Sequence, residues 1–397
     1  MNVTLGVEEF QGLYGPYQVS ELVLQKIWLK GAFDVSRLRD SRGRAVKVVS
    51  PGQWNRLAGP DFKGAVLEIG GEPVEGDVEL HFSVGDWISH GHQENPNFNR
   101  VVLHVVYHPL GAEQRDVQTA SGRRVPSVSL MDLLWYDLEE YASEDSIIES
   151  TGSAREEAVE SLLELTVPQR RERLTAAAME RWNVKRDFAR LRIERLGWSE
   201  ACHVTAFEIM GYAANRIPML HVAGRFPAPR FQSEAPSLSR LWQAGDGFWT
   251  TSGVRPANHP KLRLEQVSNW LSARPDWAAA LRSAAPELPS GSICDGTTDQ
   301  YRKANQLGSI QKTLSRNVAS DQISGAKWDT LVCDGFLPLL AAHENADFSG
   351  LWFHWFAGNA PESLSRKLRG LEILERGRFP LCNGWVQGWL RIQQQRS

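Results

Sequence analysis

Cysteine is scarce in this chain. There are four in 397 residues, Cys202, Cys294, Cys333 and Cys382, and no two form a Cys-x-x-Cys pair. That spacing argues against a zinc ribbon and against a disulfide framework. Long apolar runs are missing as well: no stretch approaches the roughly 18 residues needed to span a bilayer. The opening MNVTLGVEEFQG has no basic segment followed by an apolar one, so no secretory leader is expected there. Nor is there an excess of positive charge. The formal net charge is −3, so any contact with nucleic acid has to come from a local basic patch rather than a global field. These absences lead to the expectation of a cytoplasmic protein with no membrane partner.

What the chain does contain is ordinary globular material, 42% apolar and 23% charged. Its length exceeds a single core and predicts two domains. Fifteen tryptophans read as core packing, because large rings are mostly buried.

Residues 1–140 have strand character. Glu21 to Phe33 places Leu22, Leu24, Ile27, Trp28 and Leu29 at helical spacing behind Ser20, a possible N-cap. Strands follow at Ala45 to Val49, Phe62 to Ile69, Val74 to Phe82, Val101 to Tyr107 and Arg124 to Leu130. Gly70-Gly71 supplies a hairpin turn between the second and third. The pattern predicts an α/β (α+β) core. An acidic stretch from Asp137 to Glu160 marks the boundary. Residues 141–397 then read as a mainly α-helical domain. Its helices are expected over Leu162 to Leu196 (broken by Pro168), Cys202 to Arg216, Leu262 to Ala273, Ala326 to Ala342 (split by Pro338) and Leu364 to Glu375.

The chemical signal is concentrated. Five of ten histidines lie between His81 and His108, just after Gly59-Pro60-Asp61 and the run Asp77-Val78-Glu79-Leu80-His81. In a strand alternate residues share a face, so Val78, Leu80 and Phe82 point one way and Asp77, Glu79 and His81 the other. Three ionisable groups on one face need either solvent or a wet or metal-filled cleft. Asp61 opens the neighbouring strand. A hairpin of this length brings it within reach of Glu79, giving two hard oxygen ligands suited to magnesium or manganese.

Pro60-Asp61, seventeen residues, then Glu79-Leu80-His81 resembles the PD-(D/E)XK nuclease signature on an α-β-β-β-α-β core. The resemblance implies that Asp61 and Glu79 bind a divalent metal, that the Leu80 carbonyl joins them, and that His81 stands where a lysine usually orients the attacking water. A neutral imidazole can act as a general base but carries no permanent positive charge. More narrowly, PGQWNRLAGPDFKGAVLEI, GDVELHFSVGDWISHGH and NRVVLHVVYHP, with LQKIW before them and GVRPANHPKLRL after, resemble the bacterial domain-of-unknown-function family 2851. That resemblance assigns no activity.

Other candidates have two readings each. His90 and His92 can contact phosphate or a second metal, or sit as surface histidines; His104 in its apolar strand reads as a core histidine. Asn55 either orders the Gly59-Pro60 turn or contacts substrate. Glu21 reads as a solvated helix start that can also add an acidic ligand. A zinc site from His81, His90, His92 and Asp86 is the less favoured metal reading, lacking a recognised spacing. Nine basic residues between Arg170 and Arg195 form a stripe that could follow a phosphate backbone but is interleaved with acids, and the favoured reading is a solvated, ion-paired helix face. Arg255 and Asn258, in a loop stiffened by Pro256 and Pro260, read by default as a structural helix entry and otherwise as candidate substrate contacts. The expected function is metal-dependent phosphodiester hydrolysis of DNA or RNA. The alternative is a non-catalytic nucleic-acid- or protein-binding module on the same fold.

Overall fold

The computed structural model describes residues 7–12, 15–110, 116–136, 138, 140–141, 159–252, 254, 256–293, 296–358 and 360–394. The chain divides into two compact units, Met1–Ser143 and Glu144–Ser397. The first is a mixed sheet with helices and the second is mostly helical. Most of the acidic 137–160 stretch lies outside the described residues.

The first unit opens with an antiparallel hairpin, β1 (Val7–Gly12) and β2 (Gly15–Ser20). It was not expected, because Glu8, Glu9 and Gln11 interrupt the apolar alternation that marks a strand. Helix α1 (Glu21–Lys30) buries Val23, Leu24, Ile27 and Trp28, one face of a 3.6-residue repeat. It stops short of Phe33 because Gly31 adopts φ 59°, a left-handed cap whose N–H bonds back to the last turn.

Strands β3 (Val46–Ser50), β4 (Gln53–Trp54), β5 (Phe62–Ile69), β6 (Glu72–His81), β7 (Val101–Val106), β8 (Asp116–Gln118) and β9 (Arg124–Ser129) build one sheet. Its order is β3-β5-β6-β7-β9-β8, with β4 also paired to β5. β5 is antiparallel to both neighbours, whereas β6, β7 and β9 run parallel. A parallel step needs a crossover. Here it holds the single-turn helix α2 (Asp86–Ser89) and two 3₁₀ turns, His92–Glu94 and Pro96–Phe98. β7 is buried along its whole length and β6 from Gly76 onward. Asp77, Glu79 and His81 therefore do not meet open solvent, and their face of the sheet is covered.

One irregularity decides the position of Asp61. From the Gly70-Gly71 turn the β5–β6 register runs Ile69 opposite Glu72 up to Ala65 opposite Gly76, but Phe62 faces Val78. Lys63 and Gly64 together oppose Asp77, a β-bulge with Gly64 at φ 64°. Without that extra residue Phe62 would face Glu79. With it, the next position, Asp61, comes opposite Glu79.

In the second unit, α3 (Val167–Leu196) carries Pro168 in its first turn, where the ring fits, rather than breaking there. The helix expected at Cys202 to Arg216 is two: α4 (Trp198–Met210) and Tyr212–Arg225, divided where Tyr212 takes φ 52°. The 326–342 stretch is split as expected, through a π-helical turn at Val332–Phe336 ahead of Pro338. Among the described residues no helix is long and apolar enough to cross a membrane.

The basic stripe of α3 is largely spent internally. Arg170 donates to the carbonyls of Leu162, Leu163 and Leu371, Lys185 pairs with Asp334 at 3.1 Å, and Arg186 and Arg190 both reach Asp187. The C-terminal helix Asn383–Gln394 packs along α3 so closely that a Cβ on Gly388 would overlap the Leu174 carbonyl. Gly388→Ala is expected to cost about 1–3 kcal/mol, read as a lower midpoint in chemical denaturation.

Lys327 is buried beneath the Tyr212 ring, its Nζ 2.9 Å from the ring centroid and donating to the Ile209 carbonyl at 2.8 Å. Burial pushes its ammonium down to about 6. The folded-state value lies below the unfolded one. The cost is therefore absent at strongly alkaline pH and grows as pH falls towards 6, where the unfolded chain takes up a proton that the folded chain refuses. Lys327→Met is expected to melt higher than the parent at pH 7. The gap should close as pH rises towards 10, which paired thermal melts across that range would show.

Candidate functional site

Asp61 and Glu79 are locked to each other through main-chain donors. The Asp61 N–H donates to Glu79 Oε2 at 2.9 Å, and the Leu80 N–H donates to Asp61 Oδ2 at 3.0 Å. Because N–H and C=O of one strand residue share an edge, the Leu80 carbonyl lies on the same side of β6 as its N–H, towards Asp61. Asp61 Oδ1 accepts from Gln25 Nε2 at 2.6 Å, while Gln25 Oε1 accepts from Trp54 Nε1 at 2.9 Å. The indole thus fixes which end of the amide faces the carboxylate. Glu21 is 6% exposed, and its charge acts on both Asp61 and Glu79. The expected solvated helix start is instead a buried carboxylate beside Asp61 and Glu79, brought in by the packing of α1.

The electrostatics are those of carboxylates crowded together in a covered place. Burial first, and then the Glu79 charge, raise the Asp61 carboxyl well above the usual carboxylate range. Burial pushes Glu79 up to about 8, against the opposing pull of the Asp61 N–H. A proton has to share this cluster at neutral pH unless a cation takes its place. Glu79 is nearly covered and Asp61 is partly exposed, so solvent reaches the pair from the Asp61 side. Two hard carboxylates with an adjacent carbonyl suit magnesium or manganese.

The second oxygen of Glu79 faces imidazoles. Oε1 lies 3.2 Å from His92 Nε2 and 3.7 Å from His81 Nε2. His81 Nε2 is also 3.1 Å from His90 Nδ1 and 3.2 Å from His92 Nε2. Behind this group His81 Nδ1 meets His104 Nε2 at 2.9 Å, and His104 Nδ1 meets the Ser127 hydroxyl at 3.2 Å. The sheet register places these side by side: Glu79 opposite His104, and His104 opposite Ser127. Burial holds His92 at about 4 and His104 at about 3; burial and the surrounding rings hold His81 well below its usual value. The rings are therefore neutral at pH 7. Trp87, 1% exposed, anchors the crossover by donating its Nε1 to the Gln118 carbonyl at 2.9 Å and setting its ring edge-on to His92 and His104. Gly91, at φ 73°, turns the chain between His90 and His92.

A family model described as "Protein of unknown function (DUF2851)" matches residues 21–244, more than half of the chain. The chain belongs to this family. The DUF2851 match takes in every group just described, from Glu21 on α1 to Ser127 on β9. No curated protein and no solved structure matches the chain.

Of the residues singled out from sequence, Asp61, Glu79, Leu80, His81, His90 and His92 come together in the first unit. Asn55 belongs to the adjoining turn: its Nδ2 donates to the Pro60 carbonyl at 2.9 Å and its N–H to the Asp61 carbonyl at 2.7 Å. Asp86 does not join the histidines; its Oδ2 accepts from the Ser83 N–H at 2.7 Å, ahead of α2. Asn258 lies in the second unit, where its Oδ1 accepts from Arg263 at 2.8 Å, and Arg255 is outside the described residues. Gln25, Trp54, Trp87 and Ser127 were not anticipated. Gln25, Trp54 and Trp87 lie within the family-like stretches without having been singled out there, and each of the four is recruited by packing between elements.

Proposed function

We propose that the N-terminal unit is a divalent-metal-dependent phosphodiester hydrolase acting on nucleic acid, with Asp61, Glu79 and the Leu80 carbonyl holding magnesium or manganese. The observation that carries this is the reciprocal main-chain lock between Asp61 and Glu79, with the buried Glu21 beside them. Holding the Asp61 and Glu79 carboxylates this close under cover is costly unless their charge is compensated. The element order α1, β3, β5, β6, α2, β7 supports the PD-(D/E)XK resemblance, with Asp61 leading into the second core strand and Glu79 on the third.

A bound ion would polarise a phosphate oxygen and lower the pKa of a bound water. The chain's own part is positional. Gln25 and the Leu80 N–H fix the plane of the Asp61 carboxylate, and the Asp61 N–H fixes that of Glu79. Arg56, stacked 4.3 Å over Trp54, and Lys63 are exposed and flank Asp61 in sequence, which would suit a local basic rim for a phosphate backbone. His81 has both ring nitrogens engaged by other imidazoles, so it does not supply the positive charge of the lysine it replaces. That observation favours the second reading, a non-catalytic binding module.

The two separate on incubation of purified protein with labelled single- and double-stranded DNA and RNA, with Mg²⁺ or Mn²⁺. Metal-dependent shortening of any substrate is expected. Binding that weakens with salt but gives no product under any metal would leave the module.

A further inference from the structure

The histidines beside Glu79 have a geometry of their own. With Zn–N bonds of about 2.0–2.1 Å, donor atoms at the corners of a tetrahedron stand about 3.3–3.4 Å apart. His81 Nε2 to His90 Nδ1 is 3.1 Å, His81 Nε2 to His92 Nε2 is 3.2 Å, His92 Nε2 to Glu79 Oε1 is 3.2 Å and His81 Nε2 to Glu79 Oε1 is 3.7 Å. The donor atoms of the three histidines all lie within 4.8 Å of one another.

We propose that Glu79 Oε1, His81 Nε2, His90 Nδ1 and His92 Nε2 form a four-coordinate site for a zinc-class divalent ion. Three imidazoles with one carboxylate are donors that suit zinc rather than magnesium. The proton chain behind the site agrees with this. If His81 Nδ1–H donates to His104 Nε2, and His104 Nδ1–H to Ser127 Oγ, the His81 Nε2 lone pair points into the cluster. A second-shell hydrogen bond of this kind orients a metal-bound histidine. Trp87 and the stacking of His92 on Phe98, at 3.8 Å between ring centroids, hold the His92 ring. His90 is exposed and gives the ion a way in. Glu79 would then serve both positions, Oε2 towards Asp61 and Oε1 towards the histidines. The zinc site concerns metal binding alone and does not depend on phosphodiester hydrolysis.

The test is titration of full-length protein, stripped with a chelator and dialysed, with Co²⁺ and with Zn²⁺. One Co²⁺ per chain is expected, with the intense visible bands of four-coordinate cobalt, displaced by Zn²⁺. His90→Ala, at an exposed ring whose loss leaves the core packed, should weaken Zn²⁺ binding at least about tenfold and remove those bands. Asp61→Asn should keep both. Retention of the zinc signal by a parent that cleaves no nucleic acid would preserve this site while discarding the nuclease. Weak six-coordinate cobalt bands, or His90→Ala with parental affinity and spectrum, would overturn it and leave a hydrogen-bonded imidazole cluster.

Discussion

Asp61→Asn is expected to lower metal-dependent cleavage by about 1,000-fold or more while moving the thermal midpoint by only a few degrees. The asparagine keeps an oxygen to accept from the Leu80 N–H. It cannot also accept from Gln25 Nε2, and Gln25 cannot turn over without withdrawing Oε1 from the Trp54 indole. That mismatch costs about 1 kcal/mol. Set against it is the removal of an acid whose ionised form is disfavoured by burial and by Glu79, so the two stability terms oppose each other. Activity has no such compensation, because a neutral amide is a poor ligand for a hard cation. Rates and melts measured on the same preparation separate the two; a rate loss accompanied by a collapsed melt would assign Asp61 to stability instead.

The largest stability effect in the first unit is expected at Trp87. Its side chain fills the space between α2, His92, His104 and Phe98, and its Nε1 ties the crossover to the Gln118 carbonyl. It also belongs to the cluster formed with Phe98, Val101, Val117 and Val125. Trp87→Ala should cost about 3–5 kcal/mol through the cavity it leaves, a drop in thermal midpoint of roughly 10 °C or more. Trp87→Phe restores the ring but not the hydrogen bond, and should recover most of that loss. Equal destabilisation by both variants would mean that the indole N–H, not the packing, holds the crossover.

Several parts of this architecture were readable from residue order. Apolar runs and the Gly70-Gly71 turn marked β5 and β6, and period-two alternation put Asp77, Glu79 and His81 on one face. The pairing of Asp61 with Glu79 is less direct, because a register counted from the turn brings Phe62 opposite Glu79. The bulge at Lys63-Gly64 supplies the missing step, and the lone Gly64 inside the strand is the one sequence signal that points to it. Glu21 and Gln25 enter through helix packing, which no local pattern encodes. Asp86 was a zinc candidate by proximity, but a carboxylate at the start of a helix is drawn to nearby backbone N–H groups, here that of Ser83. His104 was read as a core histidine. It is fully buried, and its place on β7 opposite Ser127 also makes it the link between that hydroxyl and His81.

Anomalous diffraction from crystals soaked in Mn²⁺ tests the central claim most directly. A peak between the Asp61 and Glu79 carboxylates, within reach of the Leu80 carbonyl, is the predicted result. Manganese bound elsewhere on the surface, with no density between those two side chains at saturating concentration, would contradict it.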